Sequence, residues 1–514
     1  MSRGAWVQHR TRDNPTMNLL SVLIVSFLCF TIIRWYTETK KKKYPPGPPV
    51  RPIIGNILKA PSSGAWYILT DWFKVYGNLV FLHGLGNRIL VVNNFEIISE
   101  LFEKRWNNYS DRPKFTVAGE LMGLEQNSFS LSPYGPRWRE HRKLVHLAVN
   151  TRAIQNYHGI QEDVAAILSS DLLRSPEHFL EHLYLASGRI VLLVTYGIFA
   201  KDIKNPYIVD AEECMEILGK ALNPGAYLAD IIPILKYLPS WVPFQKEAQE
   251  AKIKFHKNAE LPYLHVKKLI SEGTAPQSFL KDLLSLDNMD PDFDHRAMWV
   301  TSVMYGAGTE TTFATSATFI LAMALNPEVQ KKAQAEIDRV IGTDKVPTIA
   351  DASKLPYTMA VLKETMRWHP PVPLSIPRRT TQDDTFNKYF IPKDTVVIPN
   401  LWAISRSVAN PEQFNPDRYL DKNMSSSIPD PSEWAFGMGR RICPGRYLAE
   451  NSLKAIVTGI LATFDILPPE NEIILPEFTS THVSYPKPFR CQIRPRSQEK
   501  EQLIKARVLE VKVT

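Results

Sequence analysis

Residues 436–445, FGMGRRICPG, place a single cysteine, Cys443, among glycines and arginines. The segment holds too many glycines for a strand and favours a tight loop, and a helix-like sequence begins directly behind it. Backbone N–H groups at a helix start, together with nearby arginines, lower the pKa of a thiol and stabilise its anion. The pattern therefore indicates a thiolate presented on a loop. A buried structural cysteine in a glycine turn is the alternative, but it leaves the arginines unexplained.

A long and mostly apolar stretch, residues 295–325, predicts a helix that runs through a core. It contains Gly306 and Gly308 within MYGAGTETTF, although a glycine inside a helix costs about 1 kcal/mol. Some interaction must offset that loss. Close packing of a second helix is one explanation, and a functional groove beside Glu310 and Thr311 is the other.

Two further pairs have helical spacing. Glu364 and Arg367 in KETMRWHP lie three residues apart, so they share a helical face and can form a charge-assisted pair. Trp138 and Arg142 in RWREHRK lie four residues apart. A glutamate–arginine pair is by itself most often a solvated surface bridge. Residues 178–182, HFLEH, have the spacing of a zinc-peptidase motif, but zinc would need a third ligand from elsewhere, so an ordinary helix is favoured.

These segments, taken in order, resemble the cytochrome P450 family. The haem-binding loop of that family has the pattern Phe-x-x-Gly-x-Arg-x-Cys-x-Gly, and its fixed positions are met here by Phe436, Gly439, Arg441, Cys443 and Gly445. The resemblance covers roughly residues 35–495. It implies a cytochrome P450 fold and haem b as cofactor, with Cys443 as the axial thiolate ligand of the iron, which favours O–O cleavage.

The resemblance also implies roles for the other segments. Thr311 would be the hydroxyl beside dioxygen, Glu310 would help to relay protons to it, and Gly308 would belong to the oxygen-binding groove. A structural triad that locks the loop before the cysteine would consist of Glu364, Arg367 and Arg418. Haem propionates need cationic partners in an apolar slot, and the residues that match are Trp138, Arg142, Arg378 and Arg441.

By position in the family, mainly apolar side chains would line the substrate pocket: Phe115, Val117, Leu121, Met122, Met304, Val372, Leu374, Ile376, His482 and Val483. The resemblance implies a haem-thiolate monooxygenase that oxidises a lipophilic small molecule with O2. Its electrons would come from NADPH through an NADPH-cytochrome P450 reductase. Segments such as LPYTMAVLKETMRWHP look like fungal microsomal members that make secondary metabolites, and a terpenoid is the first expectation for the substrate. Aromatic or indolic substrates fit apolar walls equally well.

Two other functions stay open at this point. One is a haem-thiolate isomerase or dehydratase that does not use O2, against which the presence of both Glu310 and Thr311 argues. The other is a non-catalytic membrane haem-binding protein, which would have no need for an oxygen-binding groove.

The elements that must position these residues are mostly helical. Apolar periodicity predicts a helix over residues 327–341, a hairpin over 79–92, and short extended pieces within 376–400 and 473–493. The fold class predicted is mainly α with small β-sheets, as one large catalytic domain over residues 50–496.

Residues 17–33 carry no charge and are just long enough to span a bilayer. No small-residue cleavage site follows, and the four lysines beyond the run place the later chain in the cytosol. We therefore expect an uncleaved single-pass anchor in the endoplasmic reticulum membrane, behind a lumenal extension, residues 1–16. A basic and proline-rich hinge, residues 34–49, and a basic tail, residues 497–514, flank the domain. Translation starts either at Met1 or at Met17, which stands immediately before the apolar run.

The composition excludes several classes of protein. The chain of 514 residues is 44% hydrophobic and 22% charged, which fits a globular body. Its net charge of +8 comes from the two ends, because residues 44–486 are mildly acidic, so nucleic acid is not expected as a partner and membrane lipids are. Four dispersed cysteines exclude a disulfide scaffold. Residues 226–244 predict either a second membrane contact or a buried helix pair, and a monomer is expected.

Overall fold

The computed structural model describes residues 22–23, 26, 42–51, 54–61, 63–223, 225–286, 290–421, 428–470 and 472–513. The predicted extension 1–16, most of the predicted anchor 17–33 and the first part of the hinge 34–49 lie outside the described residues. Among the helices that the structure does describe, none combines the length and the apolar character needed to cross a bilayer.

Contacts within the chain divide it into two units. The first joins Met1–Pro45 to Asp383–Pro392, and the second joins Pro46–Gln382 to Lys393–Thr514. In the first unit Tyr44 packs edge-on against Phe390, with their ring centroids 5.8 Å apart, and the N–H of Phe390 donates to the carbonyl of Lys43 at 2.7 Å. The second unit contains every residue to which the sequence assigns chemistry.

The strands of the described residues form three small sheets. Their bounds are β1 (Leu79–Gly84), β2 (Asn87–Val92), β3 (Arg378–Arg379), β4 (Asp384–Phe386), β5 (Tyr389–Ile391), β6 (Val396–Pro399), β7 (Phe464–Leu467) and β8 (Gln492–Pro495). The largest sheet has the order β1-β2-β6-β3, in which β2 and β6 are parallel and the other pairs are antiparallel. Strands β4 and β5 form one antiparallel hairpin, and β7 pairs with β8.

Helices make up most of the second unit. Their bounds are α1 (Ala65–Tyr76), α2 (Phe95–Ser99), α3 (Trp106–Tyr109), α4 (Leu124–Asn127), α5 (Pro136–Val149), α6 (His158–Arg174), α7 (Phe179–Tyr196), α8 (Pro206–Leu222), α9 (Leu228–Ile231), α10 (Pro243–Ser271), α11 (Phe279–Leu284), α12 (Phe293–Leu325), α13 (Pro327–Val340), α14 (Pro356–Trp368), α15 (Leu401–Ser405), α16 (Pro431–Trp434), α17 (Arg446–Thr463) and α18 (Gln498–Leu509). Short 3₁₀ turns and two π-helical turns, Glu100–Lys104 and Thr116–Leu121, connect them.

The predicted fold class, mainly helical with small sheets, is confirmed. The hairpin expected at 79–92 is β1 and β2, and the helix expected at 327–341 is α13. Residues 473–493 are less regular than expected. Within the described part of that stretch, pairing is limited to one bridge between Phe478 and Pro486 and to the first residues of β8.

The central helix α12 is buried on nearly all sides and packs against α5, α7, α8, α10 and α17. Its two glycines permit this close approach. A Cβ at Gly306 would come within 3.1 Å of Met215 on α8, and a Cβ at Gly308 within 3.0 Å of Val191 on α7. Close packing of neighbouring helices therefore accounts for both glycines. This packing also fixes the position of the residues that follow them on α12.

The predicted basic tail folds as helix α18 and packs against α6 and α17. Ile504 is buried there. The guanidinium of Arg507 donates to Asp163 of α6 at 2.7 Å, and the N–H of Lys512 donates to the other carboxylate oxygen at 2.9 Å. The tail thus supplies the partners of a buried carboxylate.

Candidate functional site

A cavity of about 270 Å³ lies inside the second unit. Its walls come from α5, α7, α12, α17, the segment that precedes β3, and the loop before α17. All seven residues that the sequence assigns to the cofactor line it: Trp138, Gly308, Arg142, Arg378, Phe436, Arg441 and Cys443. The fold therefore brings together segments that are as much as 305 residues apart.

The loop that carries Cys443 is held in shape by its glycines and its main chain. Gly437 and Gly439 have φ values of 73° and 60°, a region that residues with a side chain rarely adopt. A Cβ at Gly439 would also lie 2.1 Å from the carbonyl oxygen of Phe102. The N–H of Cys443 donates to the carbonyl of Phe436 at 2.8 Å. These contacts turn the sulfur towards the cavity, to which its side chain is exposed.

In this structure the pKa of the Cys443 thiol is raised overall. Burial raises the pKa of the Cys443 thiol, whereas the N–H of Gly445 and the charges of Arg142 and Arg446 lower that pKa. A metal cation bonded directly to the sulfur would lower the pKa of the thiol further, because the thiolate is the metal-binding form.

Four arginines line the cavity, and its lining contains no aspartate or glutamate. Burial is the main cause that lowers the pKa of each of them, to about 9 for Arg378 and about 10 for Arg441. Arg112 and Arg142 shift in the same direction, and the charge of Arg441 adds to the shifts of Arg112 and Arg378. A buried cationic cluster of this kind favours an anionic ligand.

Two of these guanidinium groups have unused donors. Nη1 of Arg378 is buried without a hydrogen-bond partner, while its Nη2 donates to the carbonyl of Met438 at 2.5 Å. Among the described residues no protein group pairs with the guanidinium of Arg142. One thiol, unpaired cationic donors and apolar walls match the iron, the two propionates and the ring of haem. The residues present therefore fit the group that the sequence predicts.

Arg441 is engaged differently from the others. It donates to the carbonyls of Ser110 at 2.8 Å, Phe129 at 3.3 Å and Ser132 at 2.8 Å, and its guanidinium lies 4.7 Å from the ring of Trp138. These contacts connect the cysteine loop to residues 110–132. A role towards a propionate stays a prediction.

On α12, Thr311 lines the cavity and donates its hydroxyl to the carbonyl of Ala307 at 2.8 Å. Glu310 is partly buried on the adjoining side of the helix and is not part of the lining. Burial, and then the charge of Glu212, raises the pKa of Glu310 to about 7. A carboxyl group with such a pKa can both donate and accept a proton near neutrality.

The structure brings Glu364, Arg367 and Arg418 together. Arg367 donates from Nε and Nη2 to the two carboxylate oxygens of Glu364 at 2.7 and 2.9 Å, and Nε of Arg418 donates to the same carboxylate at 3.1 Å. All three side chains are almost fully buried. Arg367 also donates to the carbonyls of Ser405 and Pro411, both at 2.9 Å. The group therefore fixes residues 405–418, which lead towards the cysteine loop.

The residues predicted to bind substrate fall into two sets. Met304, Val372 and Ile376 line the cavity. Leu374 and His482 line a separate cavity of about 30 Å³ beside Trp66. The remaining predicted residues lie in the hydrophobic core or pack against it and line neither cavity: Phe115, Val117, Leu121, Met122 and Val483. Their contact with a substrate stays a prediction.

Sequence reasoning missed Arg112. It is buried, lines the cavity, and donates to the carbonyls of Ser130 at 2.7 Å and Ile376 at 2.7 Å. Its charge, after burial, contributes to the lowered pKa of His482, which is about 4. Nothing in the local sequence SDRPK distinguishes this arginine from a surface arginine, because its partners lie elsewhere in the chain.

The HFLEH segment is engaged in ordinary local contacts. His182 bonds to the hydroxyl of Ser175 at 2.9 Å, and His178 lies 3.4 Å from Glu181. The described residues contain no cluster of three or more His, Cys, Asp or Glu that could hold a metal ion.

Comparisons with known proteins agree with this geometry. The family described as Cytochrome P450 matches residues 45–493. Cytochrome P450 monooxygenase COX2 of Coprinopsis cinerea is 39% identical over 477 residues, which cover 90% of each chain. Cytochrome P450 monooxygenase claR of Ampulloclitocybe clavipes is 37% identical over 98% of this chain and 96% of its own. Cytochrome P450 monooxygenase ppsD of Aspergillus oryzae is 34% identical over 95% of this chain and 96% of its own.

Proposed function

Because the chain belongs to the cytochrome P450 family and is a monooxygenase, we propose that it oxidises a lipophilic small molecule with electrons that a reductase takes from NADPH. The reaction, RH + O₂ + NADPH + H⁺ → ROH + H₂O + NADP⁺, inserts one oxygen atom and reduces the other to water. One observation carries the proposal. Cys443 and Thr311 line one cavity, together with arginines that no carboxylate neutralises there.

When bound, haem would supply the activation of O₂, and the Cys443 thiolate would hold its iron. The chain's own residues would hold and orient that group. Arg112, Arg142 and Arg378, with Trp138, line the same cavity as Cys443 and are placed to bind its propionates.

Glu310 and Thr311 of α12 would transfer protons into the cavity. The Thr311 hydroxyl donates to Ala307 in this structure, and a rotation about its side chain would let it donate into the cavity instead. Glu310, with its raised pKa, would return the proton that Thr311 passes on. Neither an isomerase nor a dehydratase would need this pair.

The walls of the cavity support a lipophilic substrate. The predicted substrate residues that line it, Met304, Val372 and Ile376, are all apolar, and apolar walls with few polar groups bind lipophilic ligands by excluding water. A terpenoid of fungal secondary metabolism stays our first proposal. Aromatic and indolic molecules meet the same apolar chemistry, so the experiment must test all three classes.

We further propose that the catalytic domain works at the cytosolic face of the endoplasmic reticulum membrane. The anchor rests on the sequence of residues 17–33. Independent support comes from residues 226–244, where the structure exposes large apolar side chains instead of burying a helix pair. Those most exposed are Leu228, Ile234, Tyr237 and Trp241. Such a patch suits contact with lipid.

The test uses the purified holoenzyme with an NADPH-dependent reductase and isotopically labelled O₂. Candidate lipophiles are first screened for the spectral shift that follows displacement of haem-bound water. We expect at least one to stimulate NADPH consumption and to gain one labelled oxygen atom. Product formation without label would instead indicate an isomerase or dehydratase, and a bound lipophile without any product would indicate a non-catalytic haem protein.

A further inference from the structure

If Glu310 donates protons during the reaction, it must itself be reprotonated by another group. Glu310 lies beside Thr311 on α12, partly buried and away from the lining of the cavity. Among the described residues no lysine, arginine or histidine forms an ion pair with it. An acid that delivers protons repeatedly must be recharged from solvent, so the groups between Glu310 and the surface matter.

Helix α8 covers this part of α12. The hydroxyl of Tyr305 donates to the carbonyl of Tyr207 at 3.0 Å, and Met215 packs where Gly306 lacks a Cβ. Gly188 of α7 leaves room for Ile208 of α8 beside Thr309. The two helices are therefore in contact over the turn that leads into Glu310.

Glu212 lies on the face of α8 that meets α12. Ile208, Glu212 and Met215 are spaced i, i+4 and i+7, which places them on one side of a helix. Ile208 is buried and Met215 is partly buried, whereas Glu212 is exposed. Glu212 therefore lies on the side of α8 that contacts α12 and is also exposed to solvent. Helix α12 lies between it and the cavity.

The surroundings of the two carboxyl groups are acidic or neutral. Although Glu212 is exposed, partial desolvation of its carboxyl group raises its pKa, and then the charges of Glu216 and Glu213 add to that shift. From α7, Tyr184 has its pKa raised by burial and then by Glu212 and Glu310. The hydroxyls of Tyr184, Tyr305 and Tyr485 therefore stay protonated at neutral pH.

The lysines of α10 that reach α8 pair with other carboxylates. Lys254 and Lys257 of α10 bind Glu213 and Asp210, at 2.6 and 3.2 Å respectively. The charge of Glu212 is the second cause, after burial, that raises the pKa of Glu310, so an ionised Glu212 opposes ionisation of Glu310.

We propose that Glu212 is the outer carboxyl group of a proton path, and that it hands protons from solvent to Glu310. In each step the O–H bond of the Glu212 carboxyl breaks and an O–H bond forms on the Glu310 carboxylate. A hydronium ion from solvent then reprotonates the Glu212 carboxylate and leaves water. The inference rests on the proposed monooxygenase function, whose reduction of one oxygen atom to water consumes two protons per turnover.

The direct test is an infrared titration of carboxyl groups in the full-length holoenzyme. Glu310→Gln identifies the band of Glu310, which we expect to titrate at about pH 7 in the unmodified chain. Glu212→Gln should move that titration to lower pH, because it removes the neighbouring negative charge. The control is Glu247→Gln, which breaks an ion pair with Lys220 of α8 but is not among the charges that shift the pKa of Glu212 or Glu310, and it should leave the band unchanged. A Glu310 band that titrates alike in all three proteins would overturn the coupling.

The kinetic test measures lipophile-dependent NADPH consumption in H₂O and in D₂O. Glu212→Gln should lower the rate roughly tenfold, less than the roughly 10²–10⁴-fold typical for a group that itself transfers the proton. Its solvent isotope effect should rise while the affinity for the lipophile stays constant, and Glu247→Gln should match the unmodified enzyme. If labelled oxygen still enters the product and Glu212→Gln changes neither rate nor isotope effect, the path is wrong although the monooxygenase function holds. If no label enters any product, the monooxygenase function fails and the infrared result stands alone.

Discussion

The Nε of Arg418 donates to the carboxylate of Glu364 at 3.1 Å, across 54 residues of sequence, and both side chains are almost fully buried. The N–H of Asn415 donates to the same carboxylate oxygen at 2.8 Å. Residues 405–418 therefore converge on one buried anion. Removing that anion would leave two guanidinium groups without a counter-charge in the interior.

The first prediction concerns this anion. Glu364→Gln should lower the free energy of unfolding by about 3–5 kcal/mol, because breaking a buried ion pair leaves an uncompensated charge. Urea unfolding followed by tryptophan fluorescence measures the change. The control is Glu477→Gln, which breaks an exposed pair with Lys487 and should alter stability by less than about 1 kcal/mol. Equal effects in the two variants would count against a structural role for Glu364.

Replacing Cys443 by Ser should remove the thiolate ligand and with it the carbon monoxide difference spectrum that this ligation gives. The matched variant is Cys491→Ser, whose cysteine is partly buried and does not line the cavity, and it should keep the spectrum. Survival of the spectrum in Cys443→Ser would refute the assignment of the ligand.

Thr311→Ala should uncouple the enzyme, so that NADPH is still consumed but hydrogen peroxide replaces most of the product. The reason is that proton delivery at the cavity wall loses its hydroxyl. Thr318 lies on the same helix, is buried and bonds to the carbonyl of Ala314 at 2.8 Å, which makes Thr318→Ala the control. The ratio of product to NADPH should fall in the first variant and hold in the second. An unchanged ratio in Thr311→Ala would exclude the proton role.

Deleting residues 497–514 should destabilise the protein by at least about 3 kcal/mol, because Asp163 loses both Arg507 and the N–H of Lys512. Thermal unfolding of the holoenzyme measures this loss. Adding Asp163→Asn to the truncated chain should recover part of the stability, since a neutral amide is cheaper to leave unpaired in the interior. Without any recovery, the loss must come from the other contacts of the tail, such as the packing of Ile504 and the buried Lys500, and not from the charge of Asp163.

A chain that lacks residues 1–33 should still bind anionic lipid vesicles through the exposed apolar patch of residues 226–244. Changing Leu228, Ile234, Tyr237 and Trp241 to Ser should weaken that binding by at least about tenfold, because each buried apolar side chain contributes roughly 1.5–3 kcal/mol. Vesicle flotation gives the bound fraction. Ile473 and Leu475 are comparably exposed, so Ile473→Ser with Leu475→Ser controls for general loss of apolar surface. Equal losses in both proteins would show that the patch has no special role.

The features that sequence analysis predicted well are those that depend on neighbours in the chain. The loop of residues 436–445 needs glycine where φ is positive, at Gly437 and Gly439, and the helix that follows is encoded directly behind it. Apolar periodicity likewise located α13, because the 3.6-residue repeat shows which face is buried, and a long apolar run located α12. Each of these patterns is complete within about 30 residues.

Other features depend on contacts between distant segments, and only the tertiary structure could establish them. Arg112 reaches the same cavity as Cys443 although 331 residues separate them, and the local sequence around it carries no signal for that position. The same holds for Glu212, whose place beside α12 follows from two helices that pack where Gly188 and Gly306 lack side chains. Whether a charged residue stays in solvent or enters the interior is decided by the partners that folding brings to it, and those partners are not its neighbours in the chain.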